Sequence, residues 1–435
     1  MKDMVKKLEA LDRQGWRFGL DVTLALFHEL GDPQLSLRFA HVAGSNGKGS
    51  TCAYLASLIQ GAGLKTGLYT SPHLSDIRER FQINGQLIPE RDFTHLTKKV
   101  LAAGQKVKRR LGHAPTTFEA LTGLAALWFQ QQKADLVVWE TGLGGRLDAT
   151  NAIPTPVVAL ISSVDLEHQE WLGKTIARIA EEKAGILKPG GRAAVWQDHP
   201  EASAAIRAQS DRVGCDLWEA GKQFKARATP KGFRWSCPGF AGDFILRNRP
   251  PYDLANASLA IMGYHLLRLQ GIVPTPPSAK ALAATRWPGR FETVSRKPLA
   301  LLDGAHNPAG ARRLVEGLLK VYPGKKWIVM GGFLKGKNHG EFIRLLAPHT
   351  KIALVAAPSS ERAEDPARVV NAWEKAGVRA FWVRRPDHAV RLAKSWAGPQ
   401  VGILATGSLY LLGEYRVRLN TEKHFEPRGR WETRS

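Results

Sequence analysis

Residues 41–51 read HVAGSNGKGST, and this stretch joins an apolar segment to a glycine-rich turn and to the start of a helical pattern. The apolar run 37–43 leads into it, and apolar residues recur at helical spacing from residue 50 to residue 59. Glycines let backbone N–H groups approach phosphate oxygens, the helix N-terminus adds partial positive charge, and Lys48 adds a full one. The stretch therefore predicts a strand, a phosphate-binding loop and a helix that bind ATP or a related nucleotide, through Ser45, Asn46, Gly47, Lys48, Gly49 and Ser50.

This loop departs from the common phosphate-binding motif. That motif has a glycine five positions before its Gly-Lys pair and a hydroxyl directly after the lysine. Here Val42 and Gly49 occupy those two positions, and Ser50 follows one step later. A Gly-Lys-Gly cluster alone also fits an ordinary turn, so the prediction depends on the flanking strand and helix.

Length and composition indicate a two-domain globular protein. A chain of 435 residues exceeds what one hydrophobic core usually serves, and 44% hydrophobic residues is ordinary for such folds. No stretch is apolar for long enough to span a bilayer, and the charged N-terminus lacks the apolar centre of a signal peptide. The odd, widely spaced Cys52, Cys215 and Cys237 fit packing residues in a reducing compartment. We therefore expect a cytoplasmic protein without a membrane partner.

The chain carries a large excess of positive charge, since 62 Lys and Arg face 39 Asp and Glu, which leaves +23. Such a field attracts nucleic acids, anionic membranes and polyanionic small molecules without choosing among them. The basic residues are spread over residues 106–110, 222–234 and the segment after Arg416, and no nucleic-acid-binding motif accompanies them. A solvated basic surface is the simpler interpretation, and we expect no nucleic-acid partner.

Apolar β-type runs alternate with helical patterns along most of the chain, which predicts an α/β fold with mostly parallel sheets. The pattern is interrupted at residues 286–298, and residues 216–246 read as a small antiparallel patch. We predict a phosphate-loop ATPase domain over residues 1–293 and a smaller Rossmann-like domain over residues 294–435. The predicted strands are 37–43, 66–69, 136–139, 157–161 and 192–196, then 299–302, 327–330, 352–356, 380–383 and 401–405.

Ligands of an open parallel sheet collect beyond the carboxyl ends of its strands, and polar residues follow four of the predicted strands there. Besides the glycine-rich loop, these are Ser71, Glu140 and the block around His168. A carboxylate and a hydroxyl are suitable ligands for the Mg²⁺ that accompanies ATP. Glu140 is equally compatible with a helix cap, and His168 alone reads as a structural loop histidine because imidazole is a poor Mg²⁺ ligand.

Ten strings occur in the same order as in a known family: GSNGKGST, YTSPHL, FEALT, ETGLGGRLDATN, LEHQEWLG, EEKAGILKPG, LANASLA, WPGRFE, DGAHNPAG and TGSLYLLGE. From about Phe18 to Glu414 the chain resembles the folylpolyglutamate synthase and dihydrofolate synthase family of the Mur ligase superfamily. The resemblance implies an ATP-dependent amide ligase. It implies that ATP phosphorylates the carboxylate of a pterin-bearing acid, dihydropteroate or a folate, and that the amine of L-glutamate attacks the acyl phosphate.

The resemblance also implies roles for individual residues. Ser71, Glu140 and His168 match Mg²⁺ ligands, and Lys183 matches a lysine that the family carries as a carbamate (N6-carboxylysine). Lys48, Lys183 and His168 are the implied catalytic residues. Matches to ATP contacts are Asn256, Arg290 and Asp303; matches to positions near the incoming glutamate are His306 and Ser408; matches to segments that line the pterin site are Thr116, Thr117, Phe118, Glu119, Leu147, Asp148 and Ala149.

Without the resemblance, several of these residues have plainer interpretations. Lys183 reads as a solvated helix lysine, Asn256 as a helix-start residue, Arg290 as a surface residue and Asp303 as a turn residue. One departure concerns Gly336-Lys337-Asn338, where relatives often have an Asp-Lys-Asp-like run. The lost acidity there puts the contacts of the second domain in question.

Two other functions stay open from the sequence. A Mur-type cell-wall ligase would use the same ATP chemistry on a UDP-sugar peptide, and a basic NTP-dependent nucleic-acid-binding protein would also need a phosphate loop. The sequence does not decide whether the enzyme adds the first glutamate, extends a polyglutamate tail or does both. We expect a monomer whose two domains close around ATP, since closure would protect an acyl phosphate from water.

Overall fold

The structure, a computed structural model, describes residues 1–14, 19–246, 249–360 and 362–419. Phe18, where the resemblance begins, and the basic residues beyond position 419 lie outside these ranges. The chain divides into two compact units, Met1–Trp287 and Pro288–Ser435. This division falls inside the interval 286–298 where the sequence pattern is interrupted.

The first unit is built on one eight-stranded sheet. Its strands in chain order are β1 Phe39–Ala43, β2 Thr66–Tyr69, β3 Phe81–Ile83, β4 Gln86–Leu87, β5 Leu136–Glu140, β6 Val158–Ile161, β7 Arg192–Val195 and β8 Asp216–Glu219. Their order across the sheet is β4-β3-β2-β5-β1-β6-β7-β8. The run from β2 to β8 is parallel, while β3 and β4 are antiparallel additions at one edge. Every residue of the central strands β1, β5 and β6 is buried, as expected for a parallel sheet covered on both faces.

Helices cover both faces of this sheet. They are α1 Lys2–Glu9, α2 Asp21–Glu29, α3 Lys48–Gly61, α4 Glu90–Leu111, α5 Thr117–Gln131, α6 Gln169–Leu172, α7 Ile176–Ala184, α8 Pro200–Val213, α9 Pro251–Leu269 and α10 Ala279–Ala284. Short 3-10 helices occupy Ala10–Gln14, Pro33–Ser36, Ile77–Arg80 and Ala149–Asn151. On one face α3 and α9 pack on Val42 and Leu160, and on the other α5 packs on Trp139. The apolar faces of these helices thereby fix the loops that follow the strands.

The region that the sequence predicts as one antiparallel patch contains two different structures. A three-stranded antiparallel sheet is formed by β9 Lys225–Thr229, β10 Gly232–Cys237 and β11 Phe240–Ile245. However, β8, which opens the same region, pairs in parallel with β7 of the main sheet. The prediction for residues 216–219 was therefore wrong, because this half-exposed edge strand lacks the apolar run of a central strand.

The second unit is a smaller α/β structure on a six-stranded sheet. Its strands are β12 Glu292–Arg296, β13 Leu299–Leu302, β14 Lys326–Gly331, β15 Thr350–Val355, β16 Ala380–Trp382 and β17 Val401–Thr406, in the order β12-β13-β17-β14-β15-β16. All pairs are parallel except β12 with β13. Its helices are α11 Pro308–Val321, α12 His339–Leu346, α13 Pro366–Lys375, α14 Pro386–Trp396 and α15 Leu409–Leu419, with a 3-10 turn at Ala347–His349. The predicted α/β fold with two mainly parallel sheets is confirmed.

No helix within the described ranges is both long enough and apolar enough to cross a membrane.

Candidate functional site

The predicted phosphate loop connects β1 to α3, and Lys48 is the first residue of that helix. Gly47 has a φ of 88°, a backbone conformation that favours glycine, and a Cβ there would lie 2.1 Å from Oδ1 of Asn256. The amide of Asn256, for which the family resemblance implies a contact with ATP, therefore lies directly against the loop. Lys48 Nζ donates a hydrogen bond to the carbonyl oxygen of Gly44 at 2.8 Å, so the ammonium group folds back over the loop.

The residues after β6 hold this loop in place. The N–H groups of Ser45 and Asn46 donate to the carbonyl oxygen of Ser163 at 2.9 and 3.3 Å. The hydroxyl of Ser162 donates to the carbonyl oxygen of Asn46 at 2.8 Å, and that of Ser45 donates to the carbonyl oxygen of Asp165 at 3.1 Å. The loop is thus fixed by its neighbour strand before a nucleotide arrives, which reduces the ordering that binding requires. Sequence reasoning assigned no role to Ser162 or Ser163.

Glu140 ends β5 beside the phosphate loop, because β5 pairs with β1 and places Glu140 opposite Val42. Its side chain is buried, and its Oε2 accepts a hydrogen bond from the N–H of Ser71 at 3.0 Å. Burial raises the pKa of the Cys52 thiol well above its ordinary value, and the charges of both Glu140 and Lys48 act on that thiol. Glu140, Ser71 and Lys48 therefore share one edge of the sheet.

Lys183 is almost completely buried on α7, with 1% of its side chain exposed. Its Nζ donates to Oε1 of Glu167 at 2.7 Å. Burial lowers the pKa of Lys183, Glu167 opposes that change, and the positive charge of Lys48 adds to it. Burial alone raises the pKa of Glu167, but the charges of Lys183 and Lys48 outweigh it and bring that pKa to about 2. These mutual effects place the buried pair within electrostatic reach of the phosphate loop.

Glycines let the loop after β5 approach α7. A Cβ on Gly145 would lie 2.8 Å from the carbonyl oxygens of Glu182 and Lys183, and one on Gly185 would lie 2.3 Å from Cβ of Arg146. Asp148 closes this loop, since its carboxylate accepts hydrogen bonds from the N–H groups of Leu143 and Thr150. Burial raises the pKa of Asp148. The chain segment 140–149 therefore packs closely against α7 next to Lys183, and this segment is called the wall below.

The segment predicted to line the acceptor site begins α5. Thr116 and Glu119 form a reciprocal cap of this helix, and Thr117 donates to the carbonyl oxygen of Leu8 at 2.6 Å. Phe118 faces the strand ends: a Cβ on Gly142 would lie 2.5 Å from its ring, and its centroid is 6.2 Å from that of Tyr69. In this segment, the Phe118 ring lies against the loop that follows Glu140. Thr116, Thr117 and Glu119 stabilise the first turn of α5. Leu147 and Ala149 are the chain neighbours of Asp148 in the wall.

His168 lies in the loop between β6 and α6, next to Glu167, and its side chain is exposed. No group of three or more His, Cys, Asp or Glu side chains able to hold a metal is found among the described residues. A site that combines one buried carboxylate, one hydroxyl and one imidazole needs phosphate and water oxygens to complete it, which is the usual way in which Mg²⁺ is bound beside ATP. The hydrogen bond from the Ser71 N–H to Glu140 brings two of the three predicted ligands together, and the charge of His168 acts on its neighbour Glu167.

In the second unit, Asp303 follows β13 and is buried. Its two carboxylate oxygens accept the N–H groups of Phe291 and Ala305, both at 2.9 Å. A Cβ on Gly304 would lie 1.9 Å from a terminal nitrogen of Arg290, so this guanidinium lies directly on the Asp303 turn. The structure thus brings together two of the predicted ATP contacts.

His306 and Ser408 occupy the same end of the second sheet. His306 Nδ1–H donates a hydrogen bond to the carbonyl oxygen of Gly304 at 2.9 Å. Ser408 is buried, and its hydroxyl has no hydrogen-bond partner within the described part of the chain. Within Gly336-Lys337-Asn338, Asn338 caps α12 by accepting the N–H of Glu341, a role that asparagine and aspartate share.

Trp287, the last residue of the first unit, is a contact that sequence reasoning missed. A Cβ on Gly49 would lie 3.0 Å from its indole ring, so the ring covers the first turn of α3. This explains why glycine, not a hydroxyl residue, follows Lys48. The only sequence signal for Trp287 is its position in the WPGRFE string.

A glycine-rich phosphate loop on a parallel sheet, followed by a second α/β unit with a polar strand-end cluster, defines a ligase of the Mur type. The second unit matches the family described as "Mur ligase, glutamate ligase domain" over residues 289–409. The chain is 33% identical over 414 residues to the dihydrofolate synthase/folylpolyglutamate synthase of Bacillus subtilis, covering 93% of this chain and 96% of that protein. The chain belongs to the dihydrofolate synthase/folylpolyglutamate synthase family.

Two solved structures extend this similarity to the fold. A Mycobacterium tuberculosis folylpolyglutamate synthase complexed with ADP and AMPPCP has a TM-score of 0.87 at 27% identity, over 97% of this chain and 99% of that one. A bifunctional folylpolyglutamate synthase/dihydrofolate synthase with Mn, AMPPNP and L-glutamate bound has a TM-score of 0.83 at 31% identity, over 96% and 98% of the two chains.

Proposed function

We propose that this enzyme uses ATP to join L-glutamate to the carboxylate of dihydropteroate, of folates with one or more glutamates, or of both, and releases ADP and phosphate. One observation carries the proposal. The charge of the phosphate-loop Lys48 acts on both members of the buried Lys183–Glu167 pair, and Lys48 and the buried Glu140 both act on Cys52. A strand-end edge with these charges can bind two anionic substrates, a triphosphate and a carboxylate, next to each other.

The reaction follows from the poor reactivity of a carboxylate. An acceptor carboxylate oxygen forms a bond to the γ-phosphorus of ATP, and the bond from that phosphorus to ADP breaks with its electron pair leaving on ADP. The amine nitrogen of glutamate then bonds to the carbonyl carbon, phosphate leaves with the C–O electron pair, and the nitrogen loses a proton. Lys48 offsets the repulsion between the two anions in the first step, and orientation by the surrounding loops serves both steps.

Ser71, Glu140 and His168 are the residues proposed to hold a divalent cation. When bound, the cation neutralises charge on the phosphates and favours their displacement. The buried position of Glu140 and its hydrogen bond from the Ser71 N–H keep this carboxylate at the phosphate edge.

Lys183 is proposed to act as N6-carboxylysine, as the family resemblance implies. Carbamate formation needs the neutral amine, which bonds to the carbon of CO₂ and loses a proton, and burial lowers the pKa of Lys183 in that direction. The ion pair with Glu167 favours the ammonium form instead. The modification should therefore depend on bicarbonate supply.

The remaining roles are proposed with the support of local contacts. Asn256 against Gly47, and Arg290 against the Asp303 turn, are placed to contact ATP. His306 and the buried hydroxyl of Ser408 are proposed to contact glutamate. Phe118 and the Leu147, Asp148 and Ala149 wall are proposed to line the acceptor site, with Thr116, Thr117 and Glu119 shaping it. We also propose that the enzyme acts as a cytoplasmic monomer.

A phosphate-release assay tests the function directly. Purified enzyme with ATP, Mg²⁺ and glutamate is given dihydropteroate or tetrahydrofolate, and the glutamylated product is identified by mass spectrometry. Turnover with dihydropteroate assigns first-glutamate addition, turnover with tetrahydrofolate assigns tail extension, and turnover with both assigns a bifunctional enzyme. Phosphate release that DNA or RNA stimulates and glutamate does not affect would contradict the proposal, as would ligation to a UDP-sugar peptide alone.

A further inference from the structure

Gln197 lies two residues beyond the end of β7, and its side-chain amide holds the chain where the neighbouring strand β6 ends. Its Nε2 donates to the carbonyl oxygens of Ile161 and Ser162, at 3.2 and 2.8 Å. Its Oε1 accepts the N–H of Val164 at 3.0 Å. Because two carbonyl oxygens face one end of the amide and an N–H faces the other, these three contacts also fix its orientation.

The residues that Gln197 holds are the ones that contact the phosphate loop. The N–H of Asn46 donates to the carbonyl oxygen of Ser163 at 3.3 Å, and the hydroxyl of Ser162 donates to the carbonyl oxygen of Asn46 at 2.8 Å. The two segments approach closely, since a Cβ on Gly44 would lie 1.9 Å from Oγ of Ser162. The residues after β6 thus connect the Gln197 amide to the phosphate loop.

The same segment leads to the buried ion pair of the site. The N–H of Asp165 donates to the hydroxyl of Ser45 in the phosphate loop at 3.0 Å. Glu167, which accepts from Nζ of Lys183 at 2.7 Å, follows two residues later. A shift of the residues after β6 would therefore move the phosphate loop and the carboxylate that pairs with Lys183 together.

A side chain is needed at this point because the strand ladder ends there. The pairing of β6 with β7 ends where Ile161 lies opposite Val195. Ser162 and Val164, just beyond that pair, are buried. Their backbone groups need partners, since a buried polar group without one costs free energy, and the Gln197 amide supplies a donor to one and an acceptor to the other.

We propose that Gln197 is a positioning residue for ATP: through the residues after β6, it holds the phosphate loop in the shape that receives the phosphates. This inference rests on the function proposed above, and it adds to the nucleotide site a residue that lies outside all ten of the ordered sequence strings. A loop that is fixed before the nucleotide arrives loses less conformational freedom on binding, which improves affinity. Gln197 acts through the backbone and needs no contact with ATP in this role.

Binding of ADP with Mg²⁺, measured by titration calorimetry without acceptor or glutamate, tests this role. Gln197→Met keeps the length of the side chain and removes its hydrogen-bonding atoms. We expect its affinity for ADP to fall about tenfold, the equivalent of one lost hydrogen bond, and in turnover we expect a higher KM for ATP with an unchanged KM for glutamate. ADP affinity equal to that of the unchanged enzyme would overturn the proposal. Gln197→Asn, whose shorter amide cannot span all three contacts, gives the same comparison if Gln197→Met does not fold.

Gln270 provides a matched control at the opposite end of the same strand. Its Nε2 donates to the carbonyl oxygens of Val157, which directly precedes β6, and of Leu266, at 2.9 and 3.0 Å. Like Gln197, it is half-buried. Gln270→Met should lower stability in urea unfolding and leave ADP affinity unchanged. A similar fall in ADP affinity in both methionine variants would show that affinity follows the general stability of β6, which would overturn the positioning role.

A double variant tests whether Gln197 acts through the residues after β6. Ser162→Ala removes the hydroxyl that donates to Asn46. If Gln197 acts through this connection, adding Gln197→Met to Ser162→Ala should weaken ADP binding by only about threefold or less, because the first change has already loosened the contact. The same tenfold loss in both backgrounds would mean that the two side chains act independently, and it would reject the proposed route.

The two proposals fail in different ways. If the unchanged enzyme does not ligate glutamate to any pterin acid, the proposed function falls, whatever the ADP titrations give. If it does ligate glutamate, and Gln197→Met binds ADP as tightly as the unchanged enzyme, only the Gln197 inference is overturned.

Discussion

The strand-end edges of the two units are built in different ways. In the first unit, charged side chains are buried against one another, as in the Lys183–Glu167 pair beside Lys48. In the second unit, the buried acid Asp303 is satisfied by backbone N–H groups, and the buried hydroxyl of Ser408 has no partner within the described residues. The first edge therefore buries charged side chains against one another, whereas the second holds its buried acid through backbone N–H groups.

The two edges therefore suit different steps of the proposed reaction. Phosphoryl transfer between anions depends on fixed charges that are already in place, because reorganising them during the reaction raises the barrier. Positioning an amine requires contacts and alignment more than charge. Substitutions in the first edge should therefore change stability and chemistry together, while those in the second should change glutamate binding with little effect on folding.

The largest effect is expected for Lys183→Ala. In the enzyme without the carbamate, the substitution leaves Glu167 buried without its ion-pair partner, which costs about 3–5 kcal/mol of unfolding free energy. In the enzyme supplied with bicarbonate, it removes the proposed carbamate. We expect activity to fall by about a thousandfold, as for loss of a central electrostatic group. Activity is measured by phosphate release, and stability by urea unfolding.

A second substitution separates the two effects of Lys183→Ala. The double variant Lys183→Ala/Glu167→Gln should recover much of the stability without recovering activity, because the uncompensated carboxylate is gone. Bicarbonate should restore activity to the unchanged enzyme after acid dialysis and not to either variant. Full activity in Lys183→Ala would reject the carbamate, and full stability would reject the energetic importance of the buried pair.

The next largest effect is expected for Gly47→Ala in the phosphate loop. Gly47 has a φ of 88°, which costs about 1–3 kcal/mol for a residue with a side chain, and the new Cβ would meet Asn256 at 2.1 Å. Gly63, just beyond the other end of α3, has a φ of 89°, and a Cβ added there would have nothing within 4 Å. Gly63→Ala therefore reports the backbone strain alone.

We expect Gly47→Ala to lose about 3 kcal/mol and to weaken ATP binding at least tenfold, and Gly63→Ala to lose about 1 kcal/mol with unchanged ATP binding. Chemical denaturation and nucleotide titration of both variants provide the comparison. Equal losses of stability and equal ATP affinities would show that the contact with Asn256 has no energetic importance.

The sequence predicted most of this architecture because buried parallel strands are continuous apolar runs. β1, β5 and β6 are buried at every position and were found within about two residues of their bounds. The hairpin strands β3 and β4 were missed because three- and two-residue strands have no measurable periodicity. β8 was misassigned because an edge strand is only partly buried.

For the candidate site, the sequence points to residues at strand ends but not to the contacts that hold them. Glu140 directly follows a predicted apolar run, and Ser71 and Lys48 lie in loops that follow such runs, so the rule for strand ends points to them. The hydrogen bond from Ser162 to Asn46 joins residues 116 positions apart, and no local pattern signals it. Glu167 lies in the block around His168 that follows a predicted strand. Its ion pair with Lys183, however, is seen only in the folded structure.

A smaller effect, on acidification, should also distinguish the units. His41 is fully buried on β1, and burial lowers its pKa to about 3 from an ordinary 6.5. The unfolded chain therefore binds a proton below pH 6.5 that the native first unit excludes, so this stabilisation is present above pH 6.5 and declines as the pH falls toward 3. In the second unit, burial also lowers the pKa of His349, but that side chain is only half-buried.

Between pH 6.5 and pH 5 the first unit should lose about 2 kcal/mol through His41, at about 1.4 kcal/mol for each pH unit. Hydrogen exchange measured by mass spectrometry should show β1 and β6 losing protection before β14 and β17. His41→Gln should reduce the pH dependence of the first unit, and the remainder should come from His73 and His265, whose pKa values burial also lowers. Earlier loss of protection in the second unit would contradict the assignment of the acid-induced loss of stability to His41.

The smallest effect on stability is expected at the edge of the second unit. Ser408→Ala removes a buried hydroxyl without a hydrogen-bond partner in the described structure, which should leave stability unchanged or slightly higher. Ser162→Ala in the first unit removes a hydroxyl that donates to Asn46 at 2.8 Å, which should cost about 1 kcal/mol. Unfolding curves of the two variants compare the loss of a hydroxyl that makes a hydrogen bond with the loss of one that makes none among the described residues.

Kinetics complete this comparison, because the two serines are expected to affect different substrates. If Ser408 contacts glutamate, Ser408→Ala raises the KM for glutamate and leaves that for ATP unchanged. Ser162→Ala loosens the phosphate loop and should raise the KM for ATP instead. Reduced stability of Ser408→Ala together with normal glutamate kinetics would show that this hydroxyl stabilises the fold and does not contact glutamate. The contrast between the strand-end edges of the two units would then not hold at Ser408.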